Sequence, residues 1–147
     1  MMLKNGQNPW EVCTFGLVAA QDYILQEENS NYGIIYALDG YDEISLTSAF
    51  KLFTKTSEKM ISPESLGMKR IAQEAIFGGN SVADAAKIFQ QIIEGKGTEA
   101  QNNVVLANAA FALQIVNETK TFETAFEEAK ESLFGLKAKK CLEIITN

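Results

Sequence analysis

The spacing of apolar positions changes along the chain, from helical to strand-like and back to helical. In residues 15–26, Leu17, Ala20 and Ile24, with the Ala and Val positions between them, fall on one helical face. Residues 27–31 are polar and make a turn. Tyr32-Gly33-Ile34-Ile35-Tyr36-Ala37-Leu38 is short, apolar and β-branched, and Asp39-Gly40 follows it. That is how a buried strand of a mixed or parallel sheet reads. Residues 44–47 alternate apolar and polar and predict a short strand. Residues 50–53 and 59–61 flank the polar stretch Lys55-Thr56-Ser57-Glu58 and predict a hairpin.

Helices dominate the rest. Ser62-Pro63-Glu64-Ser65 combines a capping serine with proline at the first helical position, so a short helix starts there and ends near Gly67. Gly78-Gly79-Asn80-Ser81 interrupts the pattern. Val82, Ala85, Phe89, Ile92 and Ile93 then share one side of a helix that stops at Gly95-Lys96-Gly97. Residues 99–116 are apolar nearly all round, which marks a helix buried on more than one side. Thr121 is placed to cap a further helix to about residue 134, with Phe122 as its staple, and a last helix follows Gly135. Three or four strands followed by helices predict one α/β domain over residues 1–147. Its mixed β-sheet contains a hairpin and is followed by, and packed against, several helices.

Composition narrows the function classes. With 147 residues, 46% of them apolar, a packed core can form. The formal net charge of −6 opposes a phosphate backbone, so no nucleic-acid partner is expected. No apolar run is long enough to span a bilayer, and the first residues lack the apolar stretch of a secretory signal. A cytoplasmic location without a membrane partner is therefore expected. Cys13 and Cys141 stand far apart with no CxxC, which reads as two reduced, mostly buried thiols. The chain has no histidine. That removes imidazole bases, Ser-His and Cys-His pairs and histidine-bound metals, and leaves oxygen ligands for a hard cation such as magnesium.

The densest chemical signal is Leu38-Asp39-Gly40-Tyr41-Asp42-Glu43-Ile44-Ser45, directly after the first strand. Loops at the carboxyl ends of strands are where open α/β folds place ligands. Adjacent carboxylates repel, and a divalent cation relieves that repulsion. On spacing alone a solvated acidic turn is the stronger reading of the same residues, because Asp and Gly suit turns. Gly78-Gly79-Asn80-Ser81 reads either as a phosphate cradle at a helix start or as a glycine turn with a cap. Lys137, Lys139 and Lys140 read as a solvated basic face. Asn108, on a mostly apolar helix, reads as a buried, hydrogen-bonded structural residue.

The run from Leu38 to Thr47 resembles a signature of anthranilate phosphoribosyltransferases. The same order and spacing continue through the hairpin, Pro63-Glu64-Ser65-Leu66-Gly67, Phe77-Gly78-Gly79-Asn80-Ser81, Asn108-Ala109-Ala110-Phe111-Ala112-Leu113 and Ala129-Lys130-Glu131-Ser132-Leu133. The resemblance implies part of a nucleoside phosphorylase/phosphoribosyltransferase-like fold. It also implies transfer of a phosphoribosyl group from phosphoribosyl pyrophosphate (PRPP) to anthranilate, in tryptophan synthesis. In that family Mg2+ holds the pyrophosphate, and Asp42 and Glu43 match the acidic pair that binds it. A homodimer is possible in the full-length family.

Some of the family's pattern is missing. The Gly-Thr-Gly-Gly-Asp loop and the Lys-His-Gly-Asn segment are not in this chain. Tyr36-Ala37 replaces a frequent histidine, and Asn8-Pro9-Trp10-Glu11-Val12 replaces a Gln-Leu-x-Gly-Val run. The resemblance therefore implies the carboxyl-terminal part of the catalytic domain, inactive when alone. The alternative is a family-derived module that stands alone in a binding or structural role.

Overall fold

The computed structural model describes residues 9–27 and 31–146, with side chains from residue 17 onward. The expected irregular start, most of the 27–31 turn and the thiol of Cys13 lie outside the described residues. Helix α1 spans Pro9–Gln26 and so starts earlier than its apolar pattern predicts. Strands β1 (Gly33–Ala37), β2 (Phe50–Thr54) and β3 (Ser57–Ile61) follow, then helices α2 (Val82–Ile93), α3 (Glu99–Val116), α4 (Phe122–Phe134) and α5 (Lys137–Thr146). Short 3-10 turns occupy Pro63–Leu66 and Gln73–Ile76. Among the described residues no helix is long and apolar enough to cross a membrane.

The strands form one sheet in the order β1-β2-β3, with Ile35 opposite Leu52 and Phe50 opposite Ile61. Both pairings are antiparallel, so the α/β class stands but the described sheet is antiparallel throughout, not mixed. The chain returns each time by a loop or a tight turn, and a parallel neighbour needs a crossover. The hairpin is as predicted. Its turn, Lys55-Thr56, is closed by Thr54 Oγ1, which accepts from the Ser57 N–H at 3.1 Å. β1 was expected to be buried, yet only Ala37 is fully so, because β1 lies at the edge of the described sheet.

The expected strand at residues 44–47 does not form. Its backbone groups find partners off the sheet: Asn108 takes both Ile44 groups, and the Leu46 carbonyl accepts from the Ile71 N–H at 3.1 Å. Leu46 also has φ +61°, a left-handed conformation no strand can contain.

Helix ends follow local chemistry closely. Ser62 and Ser65 cap each other's backbone N–H groups at 3.2 Å each way, and Gly67 closes that turn with φ +70°. Thr98 and Gln101 form a second capping box at the start of α3. Thr121 caps α4 as predicted, by accepting from the Thr124 N–H at 3.2 Å.

The main core joins sheet and helix. Ala37, Ile44, Leu46, Phe50 and Leu52 pack with Ala107 and Phe111 of α3. Phe50 meets Phe111 edge-on, with ring centroids 5.5 Å apart. A second cluster, Leu106, Ala129 and Leu133, joins α3 to α4, with Ile92 of α2 packed against it. The apolar circumference of α3 is explained by these two interfaces on different sides of one helix.

Phe50 is 1% exposed and belongs to the main core. Phe50→Ala is expected to cost about 3–5 kcal/mol of folding free energy in urea unfolding followed by circular dichroism. Arg70 sets a pH signature. Its guanidinium donates to both oxygens of Glu64, at 3.1 and 3.4 Å, and those bonds hold the Glu64 carboxyl down at about 2. A depressed carboxylate stabilises the fold above its ordinary value, and that contribution disappears as pH falls through the folded value. Glu64→Gln is therefore expected to be slightly less stable than the native chain at neutral pH. The gap should close between about pH 4.5 and pH 2, as read from urea midpoints across pH.

Candidate functional site

The loop between β1 and β2 carries the candidate chemistry. The Leu38 N–H donates to the Ala49 carbonyl at 3.0 Å, extending the strand ladder and drawing the ends of the loop together. Gly40 turns the chain with φ +85°. The three carboxylates of the sequence signal then separate. Asp39 points inward: its Oδ2 accepts from the Ser45 hydroxyl at 2.8 Å and from the Thr47 hydroxyl. Ser45 is 5% exposed, and its Oγ also accepts from the Thr47 N–H at 3.1 Å. Oδ1 of Asp39 is buried and takes no hydrogen bond within the described structure. Asp42 and Glu43 lie on the outside and are exposed, and among the described residues neither carboxylate has a hydrogen-bond or ion-pair partner.

The residue after the pair is fixed on every side. Ile44 is 0% exposed. Its N–H donates to Asn108 Oδ1 at 3.0 Å, and its carbonyl accepts from Asn108 Nδ2 at 2.8 Å. The same Nδ2 donates to the Val104 carbonyl one turn back in α3, at 2.8 Å, which fixes the amide's orientation. Leu46, 1% exposed, is wedged into the core. The opposite wall of the loop is the 68–71 segment, where Ile71 binds the Leu46 carbonyl. Arg70 stands within the field of Asp39, and its pKa is raised first by the Glu64 hydrogen bond and to a smaller extent by Asp39.

This donor set suits one kind of metal site. Two exposed carboxylates with their lone pairs free match Mg2+, which takes one or two protein carboxylates and completes its shell with water and phosphate oxygens. A closed cage is not available, since no group of three or more His, Cys, Asp or Glu side chains among the described residues could hold a metal.

The other sequence signals resolve differently. At Gly78-Gly79-Asn80-Ser81 the start of α2 is taken up by the chain itself. Ser81 caps the helix, and Asp84 Oδ2 accepts from the Ser81 hydroxyl at 2.8 Å and the Asn80 N–H at 3.2 Å. A carboxylate already fills the position a phosphate would take. Gly79, with φ +90°, is needed there because a Cβ would lie 2.4 Å from Asp84 Cβ. In the basic face of α5, Lys139 donates to Glu94 Oε1 at 3.0 Å and ties α5 to the end of α2. Lys96 also binds Glu94, and hydrogen bonds from Lys96 and Lys139 hold that carboxyl down at about 2. Cys141, read as buried, is exposed instead, because α5 packs only its inner side against α4 and leaves Cys141 outside.

Sequence reading missed two parts of the loop. The inward Asp39-Ser45-Thr47 cluster had a local signal, since an acid and two hydroxyls within a few residues can bond one another. The Asn108 clamp had none beyond an amide on an apolar helix, because its partner lies far away in sequence.

The chain matches the model of the glycosyl transferase family, a/b domain, over residues 11–138. An anthranilate phosphoribosyltransferase of Flavobacterium johnsoniae is 50% identical over 121 residues, covering 82% of this chain and 36% of that protein. One from Bacteroides fragilis is 44% identical over 126 residues, covering 86% and 38%. The chain thus spans little more than a third of the length of these curated relatives. Among solved structures, the Thermus thermophilus anthranilate phosphoribosyltransferase superposes with a TM-score of 0.75 at 21% identity, over 87% of this chain and 38% of that one. The Saccharomyces cerevisiae enzyme in complex with PRPP and Mg superposes with a TM-score of 0.65 at 18% identity, over 77% and 32%. Those two superpositions carry the fold, and the family match agrees with them over most of the sequence: the chain belongs to the glycosyl transferase family, in its a/b domain.

Proposed function

We propose that this chain is the carboxyl-terminal part of the α/β domain of an anthranilate phosphoribosyltransferase, and that Asp42 and Glu43 hold Mg2+ at the pyrophosphate of PRPP. The observation that carries the metal assignment is the pair's geometry: two adjacent carboxylates, exposed and without partners among the described residues, on a loop whose neighbouring residues are fixed. A turn evolved only for solubility needs no such support. The relatives at 44–50% identity carry the same enzyme name, and a yeast structure of the same fold was solved with PRPP and Mg.

When bound, magnesium supplies charge neutralisation for the departing pyrophosphate. This chain's own residues hold and orient. Asp42 and Glu43 present oxygen donors, Asp39 and the hydroxyls of Ser45 and Thr47 keep the loop's path, and α3 supports it from beneath. Such transfer at an anomeric carbon is served mainly by positioning and electrostatics, which fits a sequence without histidine. The complete protein would take PRPP and anthranilate and work in the cytoplasm in tryptophan synthesis, and the full-length family allows a homodimer. A stand-alone, non-catalytic role finds no feature here that favours it.

Two measurements test this. Titration of the chain with Mg2+ or Mn2+ in a calorimeter is expected to show weak binding that disappears in Asp42→Asn/Glu43→Gln. Equal binding by the double variant would remove the metal assignment. The purified chain, incubated with PRPP, anthranilate and Mg2+, is expected to form no phosphoribosyl anthranilate. Detectable product would show that the rest of the relatives' length is dispensable.

A further inference from the structure

We infer that Asn108 is a positioning residue for the Asp42-Glu43 pair, acting through the backbone of Ile44 and without contact to metal or substrate. The inference rests on the metal reading given above.

The amide of Asn108 pairs with Ile44 as a neighbouring strand would, taking its N–H and giving to its C=O, at 3.0 and 2.8 Å. It replaces two ladder bonds by a side chain from a helix. The third bond, to the Val104 carbonyl, leaves the amide one orientation. The peptide nitrogen it holds belongs to the bond joining Glu43 to Ile44, so the clamp acts at the boundary of the acidic pair. On the other side of that boundary, Ile44 is wholly buried and cannot shift without opening the core. The Asp39 cluster grips residues 45 and 47, but it lies within the same loop and can move with it. Asn108 is the part that refers the pair to the rigid frame of α3.

Holding two like charges side by side is the state that needs such a clamp. Unbound carboxylates repel and gain by splaying apart, whereas a cation needs them convergent. Fixing the backbone in advance removes part of that ordering cost from the binding step. Partners bonded directly to ligating side chains shift metal affinity by about 10–100-fold when removed, and a clamp on the adjoining peptide is expected at the low end of that range.

The test uses the 147-residue chain in two variants. Asn108→Leu removes all three bonds at similar volume. Asn108→Ala removes the same three bonds without adding bulk, so it serves if the leucine variant fails to fold. Two readouts are taken, the exchange rate of the Ile44 amide hydrogen by NMR and the affinity for Mn2+ by calorimetry.

The expected result is faster Ile44 exchange, with β2 amides unchanged, and Mn2+ affinity weaker by roughly tenfold or more in both variants. Native Mn2+ affinity in a folded variant whose Ile44 amide has been released would overturn the positioning role and leave Asn108 merely structural. Unchanged Ile44 exchange would overturn the clamp. A native chain that binds no Mn2+ would instead overturn the metal reading of Asp42 and Glu43, and the positioning role with it, while Ile44 exchange would still report on the clamp alone.

Discussion

Ala107 and Ala110 are completely buried, and their small side chains let α3 approach its neighbours closely. Everything distinctive about the molecule depends on that approach. It brings Phe111 against Phe50 on one side and Leu106 against Leu133 and Ala129 on another. It also sets the amide of Asn108 within hydrogen-bond reach of Ile44. A small antiparallel sheet becomes stable by burying a hydrophobic face, as packing against a helix provides. Here α3 provides the second layer, α4 packs along it with Ile92 of α2 against their shared cluster, and α5 packs on α4. One apolar helix thus serves as the shared wall of two cores and as the support of the acidic loop.

How much of this is legible in the sequence follows from the range of each interaction. Helix α4 starts where its cap predicts, because Thr121 with Thr124 acts over three residues, and α3 has the bounds its apolar run predicts. The hairpin is legible for the same reason. Residues 44–47 mislead because their alternation is real while their partners are remote: Asn108 is 64 positions from Ile44, and no local pattern encodes that. The Leu46 φ of +61° is equally unreadable, since leucine seldom adopts it and core burial must offset a cost of about 1–3 kcal/mol.

The candidate site shows the same division. Spacing alone favours a solvated turn over a metal pair for Asp42 and Glu43, and it counts Asp39 with them as a third like member. Only the fold separates the roles, turning Asp39 inward onto two hydroxyls and leaving the other two outside. The glycine segment before α2 resolves the opposite way, because the Asp84 carboxylate already takes the Asn80 N–H and the Ser81 hydroxyl at the helix start. The family assignment needed neither detail, since the order of short motifs along most of the chain carries it.

One consequence of the Ile44 clamp concerns how such a loop can change. Asn108 binds main-chain atoms, which every residue but proline offers alike. Its hold on the loop is therefore blind to the side chains at positions 42 and 43. Shape and chemistry are written in separate places, the path of the chain in α3 and the ligands in the loop. Substitution in the loop can retune which ion or anion is met there without redrawing the scaffold, whereas loss of a single distant amide would disturb the site with both carboxylates intact.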